Sequence, residues 1–159
     1  MSNIDTDCMV GQIVAVLKEA FDGPPEGFCY FTDPGDDAGL TALLGQVDAN
    51  QASQVVGETS IAAHVYHLIF AMNVSAAWIL GERSSVNWDD SWKTSDVDDA
   101  SWEKLRSDLH EAHDKLRVAI ENHAKDSMMA AGGAVAAATH TGYHLGIIRQ
   151  KLTVLRKNA

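Results

Sequence analysis

Residues 59 to 81 run for 23 positions without a single Asp, Glu, Lys or Arg, in a chain of which 21% is charged. No strand is that long, since strands usually span 3 to about 10 residues. A membrane helix needs about 20 apolar residues, but this stretch contains His64, His67, Asn73 and Ser75, and no second span accompanies it. It reads more simply as a central or interface helix, apolar on most of its circumference, and no membrane partner is expected. The helix is predicted from about Glu58 to Leu80. Thr59 or Ser60 is placed to cap its first turn, and Gly81 to stop it.

The rest of the chain has the same period. From Asp5 to Phe21, Met9, Ile13, Val16, Leu17 and Ala20 follow helical spacing until "DGPPEG" ends the run. A Gly-, Pro- and Asp-rich loop follows to about Asp37. "AGLTALLGQV" (38–47) predicts a short helix, and "DANQASQVVG" a turn with a helical fragment. A polar linker with Trp88 and Trp92 leads to a third long helix, roughly 98 to 124. Ser95 and Asp98 are spaced as a capping box for it, and Trp102, Leu105, Leu109, Leu116 and Ile120 form its inner stripe. "KDSMMAAGG" interrupts the pattern, and a fourth long helix is predicted from about Gly133 to Arg156. No alternating strand pattern of any length occurs. The expected fold is all-α: a four-helix bundle with an extra short helix, and long loops near the N-terminus and between the second and third long helices.

A length of 159 residues suits one domain, 1–159. Acidic residues outnumber basic ones 22 to 12, for a net charge of −10, so no nucleic-acid partner is expected. The modest basic group Arg149, Lys151, Arg156 and Lys157 falls in the last predicted helical turns, where the helix dipole is a sufficient reason for it. Cys8 and Cys29 form neither a disulfide framework nor a CxxC pair, and Asp5 and Asp7 stand where an export signal carries positive charge. A reduced cytoplasmic setting is expected.

Of seven histidines, His110, His113 and His123 lie among charges and are expected on the surface. The other four have apolar neighbours. His64 and His67 share a face of the charge-free helix, and His140 and His144 are one helical turn apart in "HTGYHLGIIRQ". Buried imidazoles need partners. These four either satisfy one another or share an ion, and bundle cores are a recurrent place for metal sites built from facing helices.

"ETSIAAHVYHL" together with "HTGYHLGIIRQ" resembles the metal motif of the DinB/YfiT-like proteins. These are four-helix bundles with one histidine from the second helix and two, as HxxxH, from the fourth. The tryptophan-bearing linker "NWDDSWKTSDVDDASWEKL" is similar to that of one subset. The resemblance spans about residues 38 to 155. Where many members carry a basic residue after the last histidine, this chain has Leu145. In the family the second-helix ligand lies seven residues after the hydroxyl residue that opens the helix, the interval from Ser60 to His67. The resemblance thus implies the metal ligands His67, His140 and His144; His64, three residues before His67, stays open as a replacement or support for it. It also implies a metal-dependent hydrolase or a transferase using low-molecular-weight thiols.

Three imidazoles leave a coordination position open, as in catalytic sites. All-nitrogen ligation suits Zn²⁺, Ni²⁺ or Fe²⁺, and an ion so held acidifies a bound water or polarises a carbonyl. Glu58 and Tyr143 are nominal candidates for a general base, with core packing the simpler role for Tyr143. Trp88, Trp92 and Trp102 read as anchors pinning a long loop, or as an aromatic lid over a pocket. Two alternatives to an enzyme stay open: a metal-free dimeric bundle that binds a small molecule or a protein, and a structural dimer. A homodimer through the charge-free helix is expected in either case. The substrate is not legible.

Overall fold

The structure is a computed structural model that describes residues 5–158. Six α-helices run in the order α1 (Thr6–Asp22), α2 (Leu40–Leu44), α3 (Ala49–Ser53), α4 (Ile61–Ile79), α5 (Asp99–His123) and α6 (Met128–Asn158). A 3₁₀ turn, Trp88–Trp92, lies between α4 and α5. No strand occurs among the described residues; the one β-type contact is an isolated bridge between Val56 and Thr59.

The four long helices pack around one core. α4 lies against both α5 and α6, and α1 against both α6 and α5, so α1 and α4 sit at opposite corners. Leu17, Phe21, Ile61, Leu68, Leu116, Ile120, Leu145, Ile148 and Leu152 meet there, with Leu40 and Leu43 of α2. α1 turns Val10, Val14, Leu17 and Phe21 inward and leaves Met9 half exposed. α4 is long and apolar enough to cross a bilayer by length and composition, yet more than half of it is buried inside the protein.

Local chemistry sets the ends of the helices. Ser60 caps α4, its Oγ accepting from Ala63 N at 3.1 Å, and Gly81 follows the helix at φ 89°. Asp48 and Gln51 form a reciprocal capping box for α3. Two expectations are corrected. Asp98 is itself the N-cap of α5, accepting from Ser101 N at 2.8 Å, so Ser95 and Asp98 are no capping box. The Ser95 carbonyl instead accepts from Ser60 Oγ at 2.6 Å, which ties the linker to the start of α4. α6 begins five residues before Gly133, with Ser127 Oγ accepting from Ala130 N at 3.0 Å. Glycines cost a helix about 1 kcal/mol each relative to Ala, and a Cβ on Gly133 would make an ordinary contact with Ile79 Cγ1 at 3.5 Å, so α4 borders that position.

Three further expectations fail for reasons of packing. His113 is buried rather than on the surface: it falls on the same stripe as Leu109, Leu116 and Ile120, and its ring stacks on Phe21 at 3.8 Å. Among its former companions, His110 is exposed and His123 bonds Asp126 at 2.8 Å. Tyr143 is 63% exposed and packs no core. Lys151 does more than complement a helix dipole. It is buried, and its ammonium donates to the Val56 and Thr59 carbonyls at 2.6 and 2.8 Å. Arg149 likewise donates to the Asp37 and Ala38 carbonyls.

Candidate metal centre

α4 and α6 are neighbours, which lets their histidines meet. His67 projects from α4, and His140 and His144, four apart, share one face of α6. His67 Nε2 lies 3.2 Å from His140 Nε2, and His144 Nε2 lies 3.0 Å from the same atom. The rings of His67 and His144 are 4.8 Å apart between centroids. One nitrogen from each of the three falls within 4.8 Å of the others. Three nitrogens at tetrahedral positions around an ion at about 2.0–2.1 Å are themselves roughly 3.3–3.4 Å apart. The two spacings to His140 are close to that, and the third pair lies within 4.8 Å.

Proton bookkeeping shows which nitrogens carry lone pairs. Ser91 Oγ gives its one proton to the Trp88 carbonyl at 2.7 Å. It therefore accepts from His67 Nδ1–H at 2.8 Å. His67 Nε2 is then an acceptor and faces the cluster. His144 Nδ1 is 2.9 Å from His64 Nδ1, and His64 Nε2 is 2.9 Å from Thr59 Oγ1. If His144 Nδ1–H donates to His64, then His64 Nε2–H donates to Thr59, and His144 Nε2 also turns a lone pair inward. This is the arrangement in which each ligating imidazole donates its other N–H to a neighbour. His140 Nε2 faces both: protonated there, it donates to one of the two, and with its proton on Nδ1 instead, all three Nε2 lone pairs converge and can share a cation.

None of these rings is an imidazolium at neutral pH. Burial lowers the pKa of His64 to about 4, with help from the charges of Lys151 and His67. Burial and then His140 lower His67 to about 4. Burial, then His140, His64 and His67, lower His144 to about 3, and burial alone lowers His140. All four rings are neutral at pH 7, and the three of the cluster, His67, His140 and His144, are available to a metal.

His64 stands outside the convergent group. Its partners are the Thr59 hydroxyl and His144, not a backbone group as a core filler would have. The linker closes over the site. Trp92 stacks on His67 at 4.1 Å and 18° and meets His64 edge-on at 5.3 Å. Trp88 packs on Phe70 and Trp78 at 5.7 and 6.2 Å. Both indoles remain about two-fifths exposed, so they are a cover as well as anchors. Trp102 is different: it is buried and donates from Nε1 to the Val47 carbonyl at 2.7 Å. Glu58 is exposed, while Tyr143 meets His144 edge-on at 5.1 Å.

Sequence reasoning missed Ser91 and the part played by Thr59. Each joins the site through a contact that no spacing rule announces. No family model, no curated protein and no solved structure matches this chain. The class that its own geometry defines is an all-helical protein with a three-histidine cluster able to hold a metal ion.

Proposed function

We propose that the protein is a metal-dependent enzyme, a hydrolase or a thiol-dependent transferase, with His67, His140 and His144 holding one divalent ion. The ion is Zn²⁺, Ni²⁺ or Fe²⁺, in keeping with all-nitrogen donors. In this reading the four long helices are a four-helix bundle of the DinB/YfiT-like type, forming one domain that works as a cytoplasmic homodimer. The observation that carries the proposal is the convergence of three Nε2 atoms, two of the pairs at 3.0 and 3.2 Å, on rings that are neutral imidazoles rather than imidazolium at neutral pH.

Three protein donors leave a position open for substrate or water, which separates catalytic from structural sites. An ion bound there supplies Lewis acidity, acidifying a water or polarising a carbonyl. The chain's own residues do the rest. Ser91 and His64 orient His67 and His144 through their Nδ1 atoms. Trp92, stacked on His67, keeps solvent from one side of the cluster.

The test is to strip the protein with a chelator and titrate it with Zn²⁺, Ni²⁺ and Fe²⁺. An activated ester, and an electrophile with a small thiol, are the assay substrates. One ion per chain should bind, and one of the two reactions should return only with it. The variants His67→Ala, His140→Ala and His144→Ala should each abolish stoichiometric binding. If removing the ion changes neither melting nor ligand binding, the metal-free binding module replaces this reading.

A further inference from the structure

A groove of about 600 Å³ opens from the histidine cluster along α4 and α6. This is within the size range of small-molecule sites. His67 and His140 stand at one end, and Arg83, just past the end of α4, at the other. The aromatic rings between them are evenly spaced: Trp88 is 6.4 Å from His67 and 6.2 Å from Trp78, and the Arg83 guanidinium lies 5.6 Å over Trp78. The opposite wall is made of Met129 and of small residues, Gly132, Gly133, Ala136 and Ala137. Helix α6 carries two consecutive glycines here at a cost in helix propensity. A Cβ on Gly132 would meet nothing within 4 Å, so that position borders open space.

The charges in the groove are one-sided. Arg83 is the one charged residue lining it, and no carboxylate does. Among the described residues, no ion pair engages Arg83. On a chain of net charge −10, an unpaired guanidinium at the mouth of an apolar slot is a local reversal of the field. Apart from the histidines, Arg83 and the two indole N–H groups, Ser75 is the one polar side chain lining it, so the walls offer little to a polyhydroxylated ligand.

We propose that this groove is the substrate site of the centre and takes an amphipathic organic anion. Its apolar body lies along Trp88 and Trp78, its anionic group pairs with Arg83, and its other end reaches the histidines. This deepens the reading of the centre as an enzyme site and rests on it for the word substrate. The binding itself does not require the ion, because Arg83 and both tryptophans belong to the protein.

Tryptophan fluorescence tests this, with octanoate and octylammonium as probes, on chelated and on Zn²⁺-loaded protein. Octanoate should saturate in both forms, and octylammonium should bind roughly ten-fold more weakly or worse, since a charge-assisted hydrogen bond separates them. Arg83→Gln should weaken octanoate by about the same factor and erase the preference. Gly132→Leu, which improves helix propensity while filling the groove, should abolish binding of both probes. Several results would overturn the proposal: no saturable binding, equal binding of the two probes, or indifference to both substitutions. Octanoate binding that needs the ion and ignores Arg83→Gln would also do so, because the carboxylate would then sit at the histidines. A chain that takes up no metal would fail as an enzyme but would still show the chelated-form pattern, so the two failures are distinguishable.

Discussion

His64 Nδ1 stands 2.9 Å from His144 Nδ1, so one histidine is the hydrogen-bond partner that sets the ring orientation of another. His64 in turn is held by Thr59 Oγ1 at 2.9 Å, and the Thr59 carbonyl by the buried Lys151 ammonium at 2.8 Å. Removing such a partner usually costs 10–100-fold in metal affinity. His64→Ala should therefore weaken metal binding by roughly 10–100-fold, while His144→Ala abolishes it. Competition against a chromophoric chelator measures both. Equal loss in the two variants would make His64 a ligand.

Ser91 is fully buried and is the acceptor for His67 Nδ1–H. Ser91→Ala leaves that donor unpaired in the interior, a loss of about 1–3 kcal/mol in stability. It should also lower metal affinity, because the His67 ring loses its fixed tautomer. Urea unfolding of the chelated protein gives the first number and chelator competition the second. A variant unchanged in both would show that Trp92 stacking alone orients His67.

Acid should destabilise the chelated protein. His64 and His67 protonate near pH 4 and His144 near pH 3 when folded, against an ordinary value of 6.5. Between those limits the unfolded chain holds more protons, so stability falls with falling pH. The contribution is complete above about pH 6.5 and is lost as pH falls toward 4 and then 3. His113, lowered chiefly by burial, acts in the same direction. Melting temperature measured from pH 7 to pH 4 should drop steadily, and His64→Leu should make the slope shallower. A flat profile would contradict the burial of these rings.

Glu19 anchors the loop that follows α1. Its buried carboxylate accepts from Tyr30 N, Phe31 N, Thr32 N and Thr32 Oγ1 at 2.6–2.9 Å. Burial pushes its pKa up, but the backbone bonds from Phe31, Tyr30 and Thr32, with the Thr32 hydroxyl, outweigh that and hold it below its ordinary value. Phe31 packs against Gly142, between the two α6 histidines: a Cβ on Gly142 would lie 3.2 Å from Phe31 Cε2. Glu19→Ala should cost at least about 3 kcal/mol, since bonds to a charged group are worth about 1.5–3 each. Glu19→Gln keeps an acceptor and should cost less. Equal losses in the two variants, read from urea unfolding, would show that the charge contributes nothing.

The long helices were legible because apolar spacing along the chain is what buries one face of each, and the described helix ends fall near the polar caps and glycines that mark them. The meeting of His67 with His140 and His144 followed from two apolar helices each carrying a pair of imidazoles. What stayed hidden depends on contacts across the chain. Ser91 reaches His67 over 24 positions, and Lys151 reaches Thr59 over 92. His113 was masked by the charges beside it, although its place one turn from Leu109 put it on the inner stripe. The start of α6 was misplaced because Gly132 and Gly133, of a type that usually ends a helix, here lie within one and line the groove.

Elemental analysis of the wild-type protein, purified without a nickel column or added metal, tests the central claim most directly. The convergence of His67, His140 and His144 predicts close to one divalent transition-metal ion per chain, lost in the His140→Ala variant. A wild-type protein free of metal, which also takes up none from Zn²⁺, Ni²⁺ or Fe²⁺ at neutral pH, would contradict it.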